Sequence, residues 1–241
     1  MKERTTAQES PLTIFVNGRE MVTLLCTPDK LQFLILGHLY FQGLIQNPED
    51  VASITVCPDE PIAQVTLVAE DVALPPPRVL PSGCGSAPSL TSQSDSLAPL
   101  ESALQVKASE LIALMGSLAE AAELYRAHGG VHISGLADRN KLLVTAEDIG
   151  RHNTLDKIQG ECLYRRLATQ DRILLTTGRL SSEMVDKAAL MRVPIAASRN
   201  SPTERAVAVA DRLGMTLVGY LRGEQLSVYT HHARIEDLAS A

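Results

Sequence analysis

The 241-residue chain sets 22 lysines and arginines against 28 aspartates and glutamates, giving a net charge of −6 and a pI near 5.5. That balance excludes a general nucleic-acid binder, which carries a basic stripe, so any anion site must be local. Apolar residues make up 45% of the chain, enough for one large domain or two modest ones with a real core.

The longest apolar run, residues 31–45, is interrupted by Gln32, His38 and Gln42 and is too short to span a bilayer, so no membrane segment is expected. Cys26, Cys57, Cys84 and Cys162 are scattered without a Cys-x-x-Cys pair or a zinc-like cluster, a pattern that favours free thiols in a reducing cytoplasm and no bound metal.

Residues 13–16 and 21–25 read as strands on either side of Asn17-Gly18, a dipeptide suited to a tight hairpin. Thr27 reads as an N-cap with Pro28 at the first helical position. Leu31, Leu34, Ile35, His38 and Phe41 then share one face before Gly43. Residues 54–56 and 64–68 read as two more strands, and Pro75-Pro76-Pro77 closes an N-terminal α+β lobe spanning residues 1–77.

From 78 to 100 the composition turns to Ser, Pro and Gly, which reads as a loop with little to bury. Cys84 sits within it between Gly83 and Gly85. On the loop alone, a reactive thiol and an incidental one weigh equally.

The larger domain, 101–241, opens with apolar positions stepping by three and four from Leu104 to Tyr125, the spacing of one helix face, ended by Gly129-Gly130. A second hairpin, 131–136 and 142–145, leads into residues 147–157, Glu-Asp-Ile-Gly-Arg-His-Asn-Thr-Leu-Asp-Lys. Here Asn153 reads as an N-cap with Asp156 three residues on, beside Arg151, His152 and Lys157. Such a helix start binds anions, phosphates above all.

The pattern recurs twice. Strand 173–177 runs into Gly178-Arg179 and a helix starting at Ser181 or Ser182, and strand 194–198 runs through Arg199 into the capping box Ser201-Pro202-Thr203-Glu204. Alternating strands and helices imply crossover connections and a largely parallel sheet with helices on both faces. Ligands bind such sheets at the carboxyl ends of strands, where Arg151, His152, Arg179, Ser181, Arg199, Ser201 and Arg222 all fall. His132, beside glycines, reads equally as part of a hydrogen-bond network or as a ligand contact.

Together with Val16-Asn17-Gly18, Cys26-Thr27-Pro28, Ser82-Gly83-Cys84-Gly85, Gly129-Gly130-Val131-His132 and Val228-Tyr229-Thr230, the 147–157 block and the run Gly178-Arg179-Leu180-Ser181-Ser182-Glu183-Met184-Val185 closely resemble the FdhD family of formate dehydrogenase accessory sulfurtransferases. The resemblance extends from about residue 11 to residue 230.

It implies an α/β fold, with a cytidine-deaminase-like three-layer α/β/α domain beside the smaller lobe, and a homodimer. It further implies that Cys84 receives sulfur as a persulfide from a cysteine desulfurase. The sulfur then passes to molybdenum bound by molybdopterin guanine dinucleotide, before that cofactor enters formate dehydrogenase. A cofactor contact is implied at Tyr220, Leu221, Arg222, Gly223, Glu224 and Gln225. Arg151, His152, Asn153, Asp156, Lys157, Gly178, Arg179, Ser181, Ser201 and Thr203 are candidates beside it, with GDP as a binding fragment.

Where many members carry Cys-x-x-Cys, this chain has Ala87 in the second position, which removes an internal disulfide but leaves a thiol able to carry a persulfide. Zinc deaminase chemistry lacks its residues: His132-Ile133-Ser134 supplies no glutamate, and no cysteines are paired. The alternative to sulfur transfer is a non-catalytic carrier of the molybdenum cofactor, for which Cys84 would be dispensable.

Overall fold

Asn17 and Gly18 take φ of 48° and 76°, the left-handed pair that a two-residue turn requires. They join β1 (Ser10–Val16) antiparallel to β2 (Arg19–Cys26). The structure, a computed structural model, describes residues 5–57, 60–81 and 95–237. With β3 (Val51–Val56), β4 (Ile62–Leu67) and β5 (Arg78–Leu80), the first sheet has the order β3-β4-β1-β2-β5. Residues 78–80 thus leave the stretch whose composition reads as loop. They add an edge strand parallel to β2, with Leu80 packed on the lobe's core.

The sheet buries alternate residues, among them Leu12, Ile14 and Val16, against α1 (Leu31–Phe41). Thr27 does not cap that helix. Lys30, in the left-handed region at φ 52°, holds the N-cap position, while the Thr27 hydroxyl accepts from the Ile149 amide at 3.1 Å. The other side of α1 crosses α4 (Arg151–Tyr164) at near backbone contact. A Cβ on Gly37 would lie 1.8 Å from the Asp156 carbonyl oxygen, and one on Gly160 would lie 1.9 Å from that of Phe33. Two glycines let the lobes share this helix pair.

The second sheet has the order β11-β10-β9-β8-β6-β7, built from β6 (His132–Ala137), β7 (Leu142–Asp148), β8 (Ile173–Thr176), β9 (Ile195–Ser198), β10 (Thr216–Arg222) and β11 (Gln225–Val228). It is mixed, not largely parallel. Only β8–β9 and β9–β10 pair in parallel, because the β6–β7 hairpin reverses the chain before the α4 crossover lays β8 antiparallel to β6.

Helices α4, α5 (Ser182–Leu190) and α6 (Glu204–Arg212) pack on one face through Leu155, Ile158, Met184, Val185 and Ala206. On the other face lies α2 (Ala108–Glu120), with Leu111, Leu114 and Leu118 set against Ile133, Leu175 and Val218. The single helix expected over 104–125 is two. The chain leaves helical geometry at Ala122 (φ −78°, ψ 77°) and restarts as the short α3 (Glu123–His128). Among the described residues no helix is long and apolar enough to cross a membrane.

Candidate anion-binding site

The carboxyl ends of β8, β9 and β10 meet the start of β6, which runs the opposite way, along one edge of the second sheet. Hydroxyls and amides fix that edge from below. Thr176, fully buried, accepts from Ser134 Oγ at 2.8 Å and from the Gly178 amide at 3.1 Å, and Ser134 Oγ lies 2.6 Å from Thr154 Oγ1. Ser198 Oγ donates to the Gly178 carbonyl at 2.6 Å and accepts from the Asn200 amide at 2.9 Å. Asn200 Nδ2 reaches the Thr177 carbonyl at 2.8 Å. The loops after β8 and β9 are therefore tied to each other, and their polar groups are held in place before any ligand arrives.

Above this floor opens a cleft of about 400 Å³, bounded by Val131, His132, Ile133, Thr177, Arg199, Asn200 and Arg222 and walled by Ala119, Ala122, Tyr125 and Arg126 from α2 and α3. Three arginines line it, and none of its described lining residues is acidic. In a chain of net charge −6 that is a concentrated local positive field, the arrangement that recognises phosphate.

Arg222 is aimed by its own bonds. Its Nε donates to the Arg199 carbonyl at 2.6 Å and its Nη2 to Asn200 Oδ1 at 3.0 Å. His132 on the rim is held below its ordinary pKa, first by burial and then by Arg151. It is therefore a neutral donor or acceptor near pH 7. An apolar annex lined by Ile112, Met115 and Leu221 continues the cleft and shares Ala119, Arg199 and Arg222 with it.

Of the residues expected here, Arg222 lines both hollows, and Leu221 and Gly223 line the annex. Tyr220 stands half-exposed at φ 51°, and Glu224 and Gln225 are exposed at the hairpin that follows. Arg151, His152, Gly178, Arg179, Ser181, Ser201 and Thr203 are not among the lining residues.

Arg151 covers Gly178, where a Cβ would meet its own Cβ at 2.8 Å, and Arg179 is exposed. His152 is buried, its ring driven down to about 3 by burial and then by Lys187, with Nε2 lying 3.6 Å from Glu183 Oε2. Ser181 holds the N-cap position of α5 without a side-chain cap bond. Thr203, not Ser201, caps α6, accepting from the Ala206 amide at 3.3 Å, because Pro202 stays extended and bridges Leu180.

Three expected ligand contacts are corrected. Asn153 is no N-cap: α4 begins at Arg151 after Gly150, and Asn153 Nδ2 donates to the Leu25 carbonyl and to Asp148 Oδ1, both at 2.9 Å. Asp156 is buried in an ion pair with Lys187, with His38 at 3.5 Å. Lys157 has no exposed side-chain surface and sits 2.7 Å from Asp148 Oδ2. All three face the interior and hold the lobes together.

Sequence reasoning missed Arg126, Thr177 and Asn200. The strand-end rule that selected Arg199 also covers Thr177 and Asn200, whereas Arg126 is brought in only by the helix break at Ala122. Cys84 and Ala87 lie outside the described residues.

The profile of the FdhD/NarQ family matches residues 7–236. Proteins named sulfur carrier protein FdhD from Bacillus pumilus and Geobacillus kaustophilus are 39% and 38% identical, over 98% and 97% of this chain and 92% and 91% of their own lengths. The crystal structure of a protein from Desulfotalea psychrophila, provisionally assigned as a formate dehydrogenase accessory protein, superposes with a TM-score of 0.79 at 31% identity. That match covers 96% of this chain and 91% of the other.

Proposed function

Because the chain belongs to the FdhD/NarQ family, we propose that it is a sulfur carrier serving formate dehydrogenase, one that takes sulfur as a persulfide on Cys84 and passes it to the molybdenum cofactor. The observation that carries the cofactor half of this reading is the arginine-lined cleft at the strand ends. Arg126, Arg199 and Arg222 suit the diphosphate of a guanine dinucleotide, and Ile112, Met115 and Leu221 offer a flat ring an apolar seat. The cofactor is cargo here.

In the sulfur half, the Cys84 thiolate attacks the outer sulfur of a cysteine desulfurase persulfide, and the donor cysteine leaves as its thiolate. One cysteine suffices for that exchange, so Ala87 is compatible with it. Such a carrier works in the cytoplasm as a homodimer, between the desulfurase and formate dehydrogenase. The test is activation of formate dehydrogenase in extracts lacking the endogenous carrier. Wild type restores activity and Cys84→Ser does not. Equal rescue by Cys84→Ser would favour a carrier of finished cofactor instead.

A further inference from the structure

We propose that Glu147 is a positioning residue for the anion site, holding α3, and with it Tyr125 and Arg126, as one wall of the cleft. The inference rests on reading the cleft as the seat of a phosphate-bearing ligand. Glu147 is the penultimate residue of β7, opposite Ile133, a lining residue, and its side chain is nearly buried. One carboxylate oxygen accepts from the Leu124 amide at 2.8 Å and the other from the Tyr125 amide at 2.9 Å. Those are two successive N–H groups in the first turn of α3, a helix start that welcomes negative charge.

Among the described residues, helix α3 has little else to hold it. At six residues it is too short to persist by itself, and none of its residues is buried. The break at Ala122 precedes it, and Gly129 and Gly130, both at positive φ, follow it. A further tie, Thr5 Oγ1 to His128 Nδ1 at 2.6 Å, lies on the exposed surface. Arg126 reaches back to the Ala119 and Glu120 carbonyls at the end of α2, so it keeps its place only while α3 keeps its own. With both oxygens engaged by backbone N–H groups, Glu147 orders the wall without presenting a free carboxylate to the anion.

The next residue shows why this position is suited to the task. Side chains alternate along a strand, and Asp148 points the opposite way, accepting from the Thr27 amide of the N-terminal lobe at 3.0 Å. One strand end therefore anchors the cleft wall on one side and the second lobe on the other.

The test is calorimetry with GDP on the full chain, comparing wild type, Glu147→Ala, Glu147→Gln, Arg126→Ala and the Glu147→Ala/Arg126→Ala double variant. Glu147→Ala is expected to weaken GDP binding about tenfold, the scale of a lost charged hydrogen-bond pair. Glu147→Gln, which keeps the side-chain length and one acceptor, should fall between. In the Arg126→Ala background the Glu147 change should add little, because both act through one wall.

Hydrogen exchange should quicken at residues 123–128 in Glu147→Ala while the sheet stays protected. Wild-type binding that Glu147→Ala and Glu147→Gln leave unchanged, or losses that multiply in full in the double variant, overturns the inference alone. No GDP binding by wild type overturns the cleft reading and this inference with it.

Discussion

Lys157 Nζ lies 2.7 Å from Asp148 Oδ2 with neither side chain exposed, and it also donates to the Thr27 and Glu147 carbonyls at 3.1 and 3.0 Å. A buried lysine ringed by a carboxylate and two carbonyls is fully satisfied, and removing it leaves Asp148 a buried carboxylate without its counter-charge. Lys157→Met is therefore expected to cost about 3–5 kcal/mol. Urea unfolding reads this directly. A change below about 1 kcal/mol would show that the ring of bonds does not bind the lobes.

The α1–α4 crossing has no room for a methyl group at Gly160, since its Cβ would lie 1.9 Å from the Phe33 carbonyl oxygen. The obstacle is backbone, which cannot swing aside as a side chain does. Gly160→Ala is expected to destabilise by about 3 kcal/mol, despite alanine's better helix propensity. A stabilised variant would mean that the two helices do not meet there.

His152 gives acid sensitivity a definite window. The unfolded chain protonates this ring near 6.5, whereas in the fold burial, then Lys187, defers protonation to about 3. Between those values the unfolded state holds more protons, so stability rises with pH. It is complete above 6.5 and is lost as pH falls toward 3. Unfolding midpoints across that range should show a slope of up to about 1.4 kcal/mol per pH unit from this one group, and His152→Gln should flatten it. An unchanged slope would assign the acid lability elsewhere, with Asp156 the next candidate. Burial works against the charge of Asp156, yet Lys187 and His38 hold its carboxyl below the ordinary range.

Arg222 is aimed into the cleft by the Arg199 carbonyl and by Asn200. Arg222→Ala should weaken GDP binding roughly tenfold and lessen its salt dependence, because a phosphate contact is screened by ions. Titrations at low and high salt would show both effects. Equal affinity in the variant would remove Arg222 from the site.

Much of this was legible in the chain, for local reasons. The Asn17-Gly18 turn, the hairpin of 131–136 and 142–145 and the strand-end arginines Arg199 and Arg222 are dictated within a few residues, and the structure has the turn and the hairpin and sets both arginines on the cleft. What sequence reasoning misplaced depends on tertiary partners. Thr27, Asn153 and Lys157 look like helix-start chemistry until Asp148 is seen to collect all three. Gly37 and Gly160 look like ordinary helix residues until the two backbones meet. Arg126 rides on the helix that restarts after Ala122, whose first amides are held by Glu147, a carboxylate distant in sequence.

The most direct test of sulfur transfer is intact-protein mass spectrometry after incubation with a cysteine desulfurase and cysteine, followed by peptide mapping. Burial pushes the thiols of Cys26 and Cys162 up to about 12, so both serve as internal unreactive controls. The expected result is a gain of one sulfur atom on Cys84 that a reductant removes and that Cys84→Ser lacks. An unmodified Cys84, or sulfur of equal amount in Cys84→Ser, would contradict the persulfide carrier.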